Sequence, residues 1–484
     1  MSDLPAPSPA PIAAPSLTRP ALSLLGFLAA GVAVLALIPS GHHQDVHALA
    51  AAIPLWAVAP FVLLLLTIAI APLAVPHRWE SNLVKAVIAG GLSVPVAAFF
   101  LTSWGAPGVD QLLEKAREYV SFMALLASLF IISGGVVVRG SLSGTPLLNT
   151  AFLGIGAVLA SLVGTTGASM LLIRPLLRAN TTREKKAHIV VFFIFIVSNC
   201  GGLLTPLGDP PLFLGFLKGV PFTWTLTHLG LPWLLVNGVL LVLFHFYDNA
   251  IFDAEELRRP GSQLEEVQKH EPLRVAGKRN LFLLLGVVAL VFLSGHLEWP
   301  FGVQELGMVA LAAASFFSTP KDLHQENSFG FGPIVEVAVL FFGLFATMAP
   351  ALLLLNAKGP ELGLAKPWQF FWAAGALSSF LDNAPTYLTF AATASGIQGI
   401  PVEGRYLARL LTEHAEVGVP LLTAISAGAV FMGANTYIGN GPNFMVKAIA
   451  EQSGVKMPSF FGYMAYSGAI LIPLFVAVTF LFFR

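Results

Sequence analysis

Charge is what this chain has least of. Charged residues fill 11% of its 484 positions, against about 25% in an ordinary soluble domain. The 26 Lys and Arg balance the 26 Asp and Glu, so nothing in the charge points to nucleic acid or to an acidic surface partner. Cysteine is almost missing. Cys200 stands alone, which excludes an internal disulfide framework and argues against a Cys-based zinc or iron–sulfur site. The phosphate-loop pattern Gly-x-x-x-x-Gly-Lys-Ser/Thr does not occur, so ATP bound to this chain is not expected as an energy source. His188, His228, His245, His296 and His414 are scattered without metal-ligand spacing. No nucleophile–base pair stands out, so the chain is not read as an enzyme, and neither a cofactor nor a transition-metal site is expected.

What is abundant is apolar. Hydrophobic residues make up 56% of the chain and mean hydropathy is +0.78, the profile of an integral membrane protein whose first partner is the lipid bilayer. Apolar runs fall near 21–39, 53–74, 84–102, 121–138, 188–206, 229–247, 281–296, 303–318, 334–355, 419–438 and 462–483. Each approaches the roughly 20 residues that a spanning helix needs. Two more, 148–177 and 368–395, are broken in the middle by Gly, Pro, Asn or Thr and read as hairpins that enter the membrane partway and return. The fold class is an all-α polytopic membrane protein of about eleven transmembrane helices plus two re-entrant helical hairpins. Residues 1–20, rich in Pro, Ala and Ser, read as a disordered lead. The run from Ala21 to Pro39 is too long for the core of a signal peptide. His42, His43 and His47 beside Asp45 read as a wet, exposed loop rather than a metal site.

Loop charges give an orientation, because Lys and Arg in short loops favour the cytoplasm. Arg139 precedes the first hairpin, and Arg174, Arg178, Arg183, Lys185 and Lys186 follow its turn, which places both its ends inside. The 248–280 loop, with Arg258, Arg259, Lys269, Arg274, Lys278 and Arg279, falls inside too, as does the N-terminus. The second hairpin then opens to the other side. The chain also repeats itself: Thr166 lies 48 residues after Glu118, and Asn383 lies 47 after Glu336. Each hairpin is followed by Thr-x-x-Gly-x-x-Pro-x-Phe, at Thr205–Phe213 and at Thr436–Phe444. These features read as an inverted-topology repeat with a site at the interface of its halves. The expected organisation is an extra first span and loop over 21–50 and a first repeat over 51–248, with its hairpin at 148–177 and a broken span at 188–217. A cytoplasmic linker over 249–280 leads to a second repeat over 281–484, with its hairpin at 368–395 and a broken span at 419–445.

Breaks at mid-membrane expose backbone N–H and C=O groups, tolerable only where protein or a watery cavity satisfies them, so they mark a site. Hairpin one offers Thr165 and Thr166 within Gly164–Ser169, and hairpin two offers Asp382, Asn383 and Thr386. The broken spans add Ser198, Asn199, Thr205 and Asp209, then Asn435, Thr436, Asn440 and Asn443. Hydroxyl, amide, carbonyl and carboxylate oxygens suit a hard cation such as Na+. Half-helix N-termini suit an anion equally well. A charge at this depth costs roughly 2.5–3.5 kcal/mol on insertion scales, so Asp382 and Asp209 read as functional; for Asp382 the plain alternative is a structural pairing with a neighbouring helix. Both acids attract a cation, repel a carboxylate and can take up a proton when desolvated, so Na+ and H+ are the expected transported or coupling ions. Arg174 suits either an anion clamp or a snorkel toward the headgroups. Glu118 and Glu336 read as interfacial or structural.

Three stretches carry a resemblance: Ser-Asn-Cys-Gly-Gly-Leu-Leu-Thr-Pro-Leu-Gly-Asp-Pro-Pro from Ser198, Leu-Asp-Asn-Ala-Pro-Thr from Leu381, and Ile-Gly-Asn-Gly-Pro-Asn from Ile438. They resemble the ion-transporter superfamily, in its NhaD-like sodium/proton antiporter and CitMHS-like citrate-transporter branch, over most of residues 50–484. The resemblance implies a two-repeat fold with two re-entrant hairpins, a homodimer formed through a scaffold domain, and a transport domain that moves like an elevator. It also implies that Asp382, Asn383 and Asp209 match residues of the antiporter-like members. Dicarboxylate carriers of the superfamily have Ser-Asn-Thr at each hairpin tip, where this chain reads Gly-Thr-Thr and Asp-Asn-Ala. The expectation is an inner-membrane secondary transporter, first a cation/proton antiporter with Asp382 and Asp209 as exchanging carboxylates and Asn199, Asn383, Thr436 and Asn440 as neutral ligands. A Na+- or H+-coupled citrate or dicarboxylate symporter is the second reading, and an arsenite or other oxyanion permease the third. The expected cargo is a small inorganic cation or a small carboxylate.

Overall fold

In lipid, a backbone must satisfy its own polar groups, which an apolar chain does by forming helices. The computed structural model describes residues 17–38, 53–141, 143–264, 271–327 and 329–484. Most of the N-terminal lead and the His42–His47 loop lie outside the described residues. Among the described residues, 10 helices are long and apolar enough to cross a membrane. The chain opens with α1 (Thr18–Leu37), α2 (Ala59–Ala74), α3 (Asn82–Phe99), α4 (Ala106–Gly134) and strand β1 (Val137–Ser141). Helices α5 (Pro146–Val163) and α6 (Thr165–Ala179) form the first hairpin. The span that follows is broken into α7 (Ala187–Ile196), a turn at Cys200–Leu203 and α8 (Pro210–Leu217), before α9 (Trp224–Arg258) and strand β2 (Glu271–Ala276). Next come α10 (Lys278–Leu297), α11 (Val303–Ser318) and α12 (Gly332–Lys358). The second hairpin is α13 (Pro367–Ser378) with α14 (Asn383–Ile397), followed by α15 (Tyr406–Thr412). A second broken span, α16 (Ala415–Met432) and α17 (Gly441–Gln452), precedes α18 (Phe460–Phe482).

Burial sorts these helices into a centre and a periphery. Every residue of α7 from His188 to Ile196 is buried, and α4 is buried along most of its length. Helices α1 and α10 expose most of theirs, and Leu37, Phe282 and Leu231 project large apolar side chains outward. An apolar surface of this extent is incompatible with water and fits acyl chains.

Two expected segments are cut differently. The run expected to span 121–138 belongs to a helix that begins at Ala106 and stops at Gly134. Its Val-rich end is β1, paired antiparallel with β2 so that Val137 faces Ala276 and Arg139 faces Arg274. The pairing is fixed by a close crossing. A Cβ on Gly277, at φ 75°, would sit 2.0 Å from Gly135 O, and one on Gly135 would sit 2.2 Å from Asn280 Nδ2. Asn280 Nδ2 donates to Gly135 O at 2.8 Å. The 303–318 run is helical as expected but, at 16 residues, falls among the shorter apolar helices and not among the ten long enough to cross.

The base of the first hairpin is held by a buried ion network. Arg183 reaches Asp248 at 2.8 Å and Glu255 at 2.9 Å on α9, and His188 Nε2 lies 2.8 Å from Asp248. Asn149 of α5 donates to Asp248 at 3.0 Å. Charges removed from water persist only when paired and hydrogen-bonded in this way.

Candidate ion and substrate site

The two helical breaks are built by local chemistry. Gly164 at φ 82° ends α5, and α6 starts at Thr165, whose N–H donates to Gly208 O at 2.8 Å. In the second hairpin α13 stops at Ser378, and Asp382 caps α14 by accepting from Ala384 N at 3.0 Å, the residue type that helix N-caps prefer. The broken spans turn on glycines. A Cβ on Gly208 would lie 2.1 Å from Gly202 O, and one on Gly439 would lie 2.6 Å from Gly433 O. Thr205 Oγ1 donates to Ser161 O, and Thr436 Oγ1 donates to Ser379 O at 2.5 Å, so each broken span is pinned to a hairpin. Asp209 and Asn440 then stand at the N-caps of α8 and α17, each followed by proline within two residues, where proline's missing N–H costs nothing.

These caps bring four helix N-termini, those of α6, α8, α14 and α17, around one carboxylate. Asp209 is 1% exposed. Its Oδ1 accepts from Thr165 Oγ1 at 2.8 Å and from Asn440 Nδ2 at 3.3 Å, and its Oδ2 accepts from Asn383 Nδ2. Asn440 Nδ2 also approaches Asn199 Oδ1 and Ser198 O, both at 3.2 Å. Asn199 Nδ2 donates to Asn443 Oδ1 at 2.7 Å, and Asn443 Nδ2 in turn satisfies Gly433 O and Thr436 O, both at 2.9 Å. Asn383 Oδ1 is buried and has no hydrogen-bond partner among the described residues. Asp209 lines a cleft together with Thr165 and Thr166 of the first hairpin and Phe122, Phe130 and Ile334 of α4 and α12. Among the described residues, no Lys or Arg lines it.

Residues 50–483 match the model of the CitMHS_2 family, described as "Putative citrate transport". The chain belongs to this family. Among curated proteins none matches it.

In this CitMHS_2 chain the expected site residues divide into four groups. Asp209, Thr165, Asn383, Asn440, Asn199, Asn443 and Ser198 form one connected hydrogen-bonded set. Thr205, Thr436 and Asn435 pin breaks instead, Asn435 through Ser379 Oγ at 2.9 Å. Thr166 lines the cleft, half-buried. Asp382 and Thr386 stand outside the set: Asp382 is the α14 cap, and Thr386 Oγ1 donates back to Asp382 O at 2.9 Å. Arg174 does not reach the site, since its Nη1 donates to Asn327 O at 3.2 Å. Glu336 pairs with buried Lys85 at 2.6 Å. Glu118 lies mid-helix in α4 and pairs with Lys115 and Lys218.

Ser169, within the expected Gly164–Ser169 tip, and two further serines also take part. Ser169 shares a 2.8 Å hydrogen bond with Ser198, Ser161 donates to Gly201 O at 2.5 Å, and Ser378 donates to Ala429 O at 2.6 Å. The signal for them was present in the sequence, because each is a hydroxyl within a few residues of a hairpin tip.

Proposed function

We propose that this family member is a secondary active transporter of the inner membrane that carries a small carboxylate, citrate in the first instance, together with a proton or a sodium ion. The observation that carries the reading is the donor set around Asp209. Four helix N-termini and three side-chain donors converge where an anion is favoured, and the chain's own carboxylate occupies that place. While Asp209 is ionised, it repels a second carboxylate. A proton or Na+ on Asp209 removes the repulsion and frees Thr165, Asn383 and Asn440 to donate to the substrate. Asn383 Oδ1, lacking a partner, supplies a neutral oxygen to the shell of a cation. Cation and carboxylate then favour each other's binding, which is the thermodynamic requirement for coupling. The family's description supports a carboxylate as cargo. Loop charge supports a cytoplasmic position for the face that carries Arg139, Arg178 and Arg183.

A second reading, cation/proton exchange without an organic anion, is favoured by the absence of Lys and Arg from the cleft lining. It uses the same competition at Asp209. Purified protein in liposomes loaded with a pH dye separates the two when labelled citrate is offered under an imposed Na+ or pH gradient. Gradient-driven citrate accumulation supports the first reading. Proton release by Na+ pulses with no citrate uptake would replace it with the second, and neither signal would sink both.

A further inference from the structure

Four charged side chains that the site does not use, three of them buried, gather beyond the far end of α8 from Asp209. Lys218, the residue after α8, places Nζ 2.5 Å from Glu118 and 2.7 Å from Glu114 of α4. Lys115 Nζ lies 2.9 Å from Glu118. Lys218 and Glu118 are 3% and 8% exposed. The Tyr406 ring lies 5.7 Å from Lys218 Nζ, and Leu407 N donates to Lys218 O at 3.1 Å. Helix α8 has 8 residues, a length of about 12 Å, so one half-helix carries Asp209 at one end and this ion set at the other. Along α4, Glu118 lies toward the N-terminus, whereas the cleft starts at Phe122 and continues to Phe130. On α8 the cleft is lined by Pro210 and Phe213, so the ion set stands just past the Phe122 and Phe213 end of the cleft.

Apolar side chains of similar volume would hold α8 to α4 at least as well as charges that must first be desolvated. Ions offer something that hydrocarbon does not, because each is rehydrated when the contact opens to water. The partners are arranged for such an opening. If Lys218 leaves, Glu118 keeps Lys115 on its own helix, and Glu114 is already 25% exposed, so no buried carboxylate is stranded. We propose that Lys218 is a positioning residue that clamps the Asp209-bearing half-helix to α4 and shuts the site on this face. The site is then reached through the cleft until the contacts of Lys218 with Glu118 and Glu114 open. The proposal rests on the transport reading, since a clamp has a purpose only if the site must open to both faces in turn.

The test is thiol accessibility in membrane vesicles, with an impermeant maleimide and Cys200→Ala as background. Leu126→Cys reports the cleft, and Val220→Cys reports the buried position two residues past Lys218. With Lys218 intact, the Leu126 probe labels and the Val220 probe does not. Lys218→Gln is expected to slow the first and speed the second by about tenfold each, and Lys218→Arg to restore the parental pattern. A monodisperse Lys218→Gln protein with unchanged labelling at both positions overturns the proposal. Should that variant fail to fold, Glu114→Gln removes the more exposed partner and is expected to shift labelling in the same direction. Unchanged labelling there overturns it equally. Citrate uptake measured in parallel keeps the two ideas apart: a parent that carries no citrate sinks the carboxylate reading, while sided labelling still decides the clamp.

Discussion

Asn383 Nδ2 donates a hydrogen bond to the carboxylate of Asp209, joining the tip of the second hairpin to the break of the first broken span across 174 residues of sequence. That one contact makes the second hairpin sensitive to the charge state of the first broken span. Where Asp209 is ionised, Asn383 is engaged; where a proton or cation neutralises Asp209, the amide is free to turn to another acceptor. Both hairpin tips meet at the same acid, since Thr165 holds its other oxygen at 2.8 Å.

Asp209→Asn keeps the shape of the side chain and removes its charge. Hydrogen bonds to charged groups contribute about 1.5–3 kcal/mol. Gradient-driven uptake in liposomes is therefore expected to fall roughly tenfold to a hundredfold and to lose its dependence on the cation gradient. The protein should still elute as a single species. Uptake that stays gradient-dependent in this variant would move coupling away from Asp209.

Asp382 calls for a different experiment, because its visible task is to cap α14. Asparagine caps about as well as aspartate, whereas alanine costs about 0.5–2 kcal/mol. Asp382→Ala is expected to lower Tm, while Asp382→Asn should leave Tm unchanged and uptake within about threefold of the parent. If Asp382→Asn stopped uptake as fully as Asp209→Asn, the charge of Asp382 would join the coupling site.

The difference between these two acids shows where sequence stops informing. Helix breaks are legible because Gly, Pro and Asn interrupt apolar runs, and the chain does turn at Gly164, at Gly208 and at Gly439. The shared Thr-x-x-Gly pattern is legible as well, and its two threonines both donate to a hairpin carbonyl. Partnership is not legible. Asp209 becomes central through contacts from 44, 174 and 231 residues away, while Asp382, no less acidic, satisfies its carboxylate two residues along its own chain. The valines before Arg139 match the end of an apolar run until β2 supplies a partner. Lys218 attracts no notice in sequence because both its acids lie about a hundred positions earlier.

A pH effect on stability is expected outside the membrane. His324, in the short helix Lys321–Glu326, is buried against Phe316, ring centroids 5.4 Å apart, and its Nε2 has no partner among the described residues. Burial holds its imidazole below the ordinary pKa, which is about 6.5. The unfolded chain thus takes up this proton at a higher pH than the folded protein does. The stability that neutral His324 contributes is present above about pH 6.5 and is lost as pH falls toward and through the folded value. Tm should drop on acidification, and His324→Phe, which keeps the stack, should flatten that drop. An identical pH profile for the two proteins would assign the loss to other groups.

The last prediction concerns the network that roots the first hairpin. Arg183→Met takes the cation from between Asp248 and Glu255, and breaking a buried pair from one side costs about 3–5 kcal/mol because a charge is left uncompensated. The remaining contacts argue for the lower end of that range. Glu255 keeps the backbone N–H groups of Glu184 and Lys185, at 2.9 and 2.8 Å. Asp248 keeps Asn149 at 3.0 Å and His188 at 2.8 Å. The loss should therefore appear as a lower Tm and a lower monodisperse yield in detergent. Because this network lies at the hairpin's base and not at its tip, the fraction that folds should transport at close to the parental rate per molecule. A variant with full yield and Tm but impaired uptake would contradict this, and would place Arg183 in the transport cycle instead of in the foundation of the hairpin.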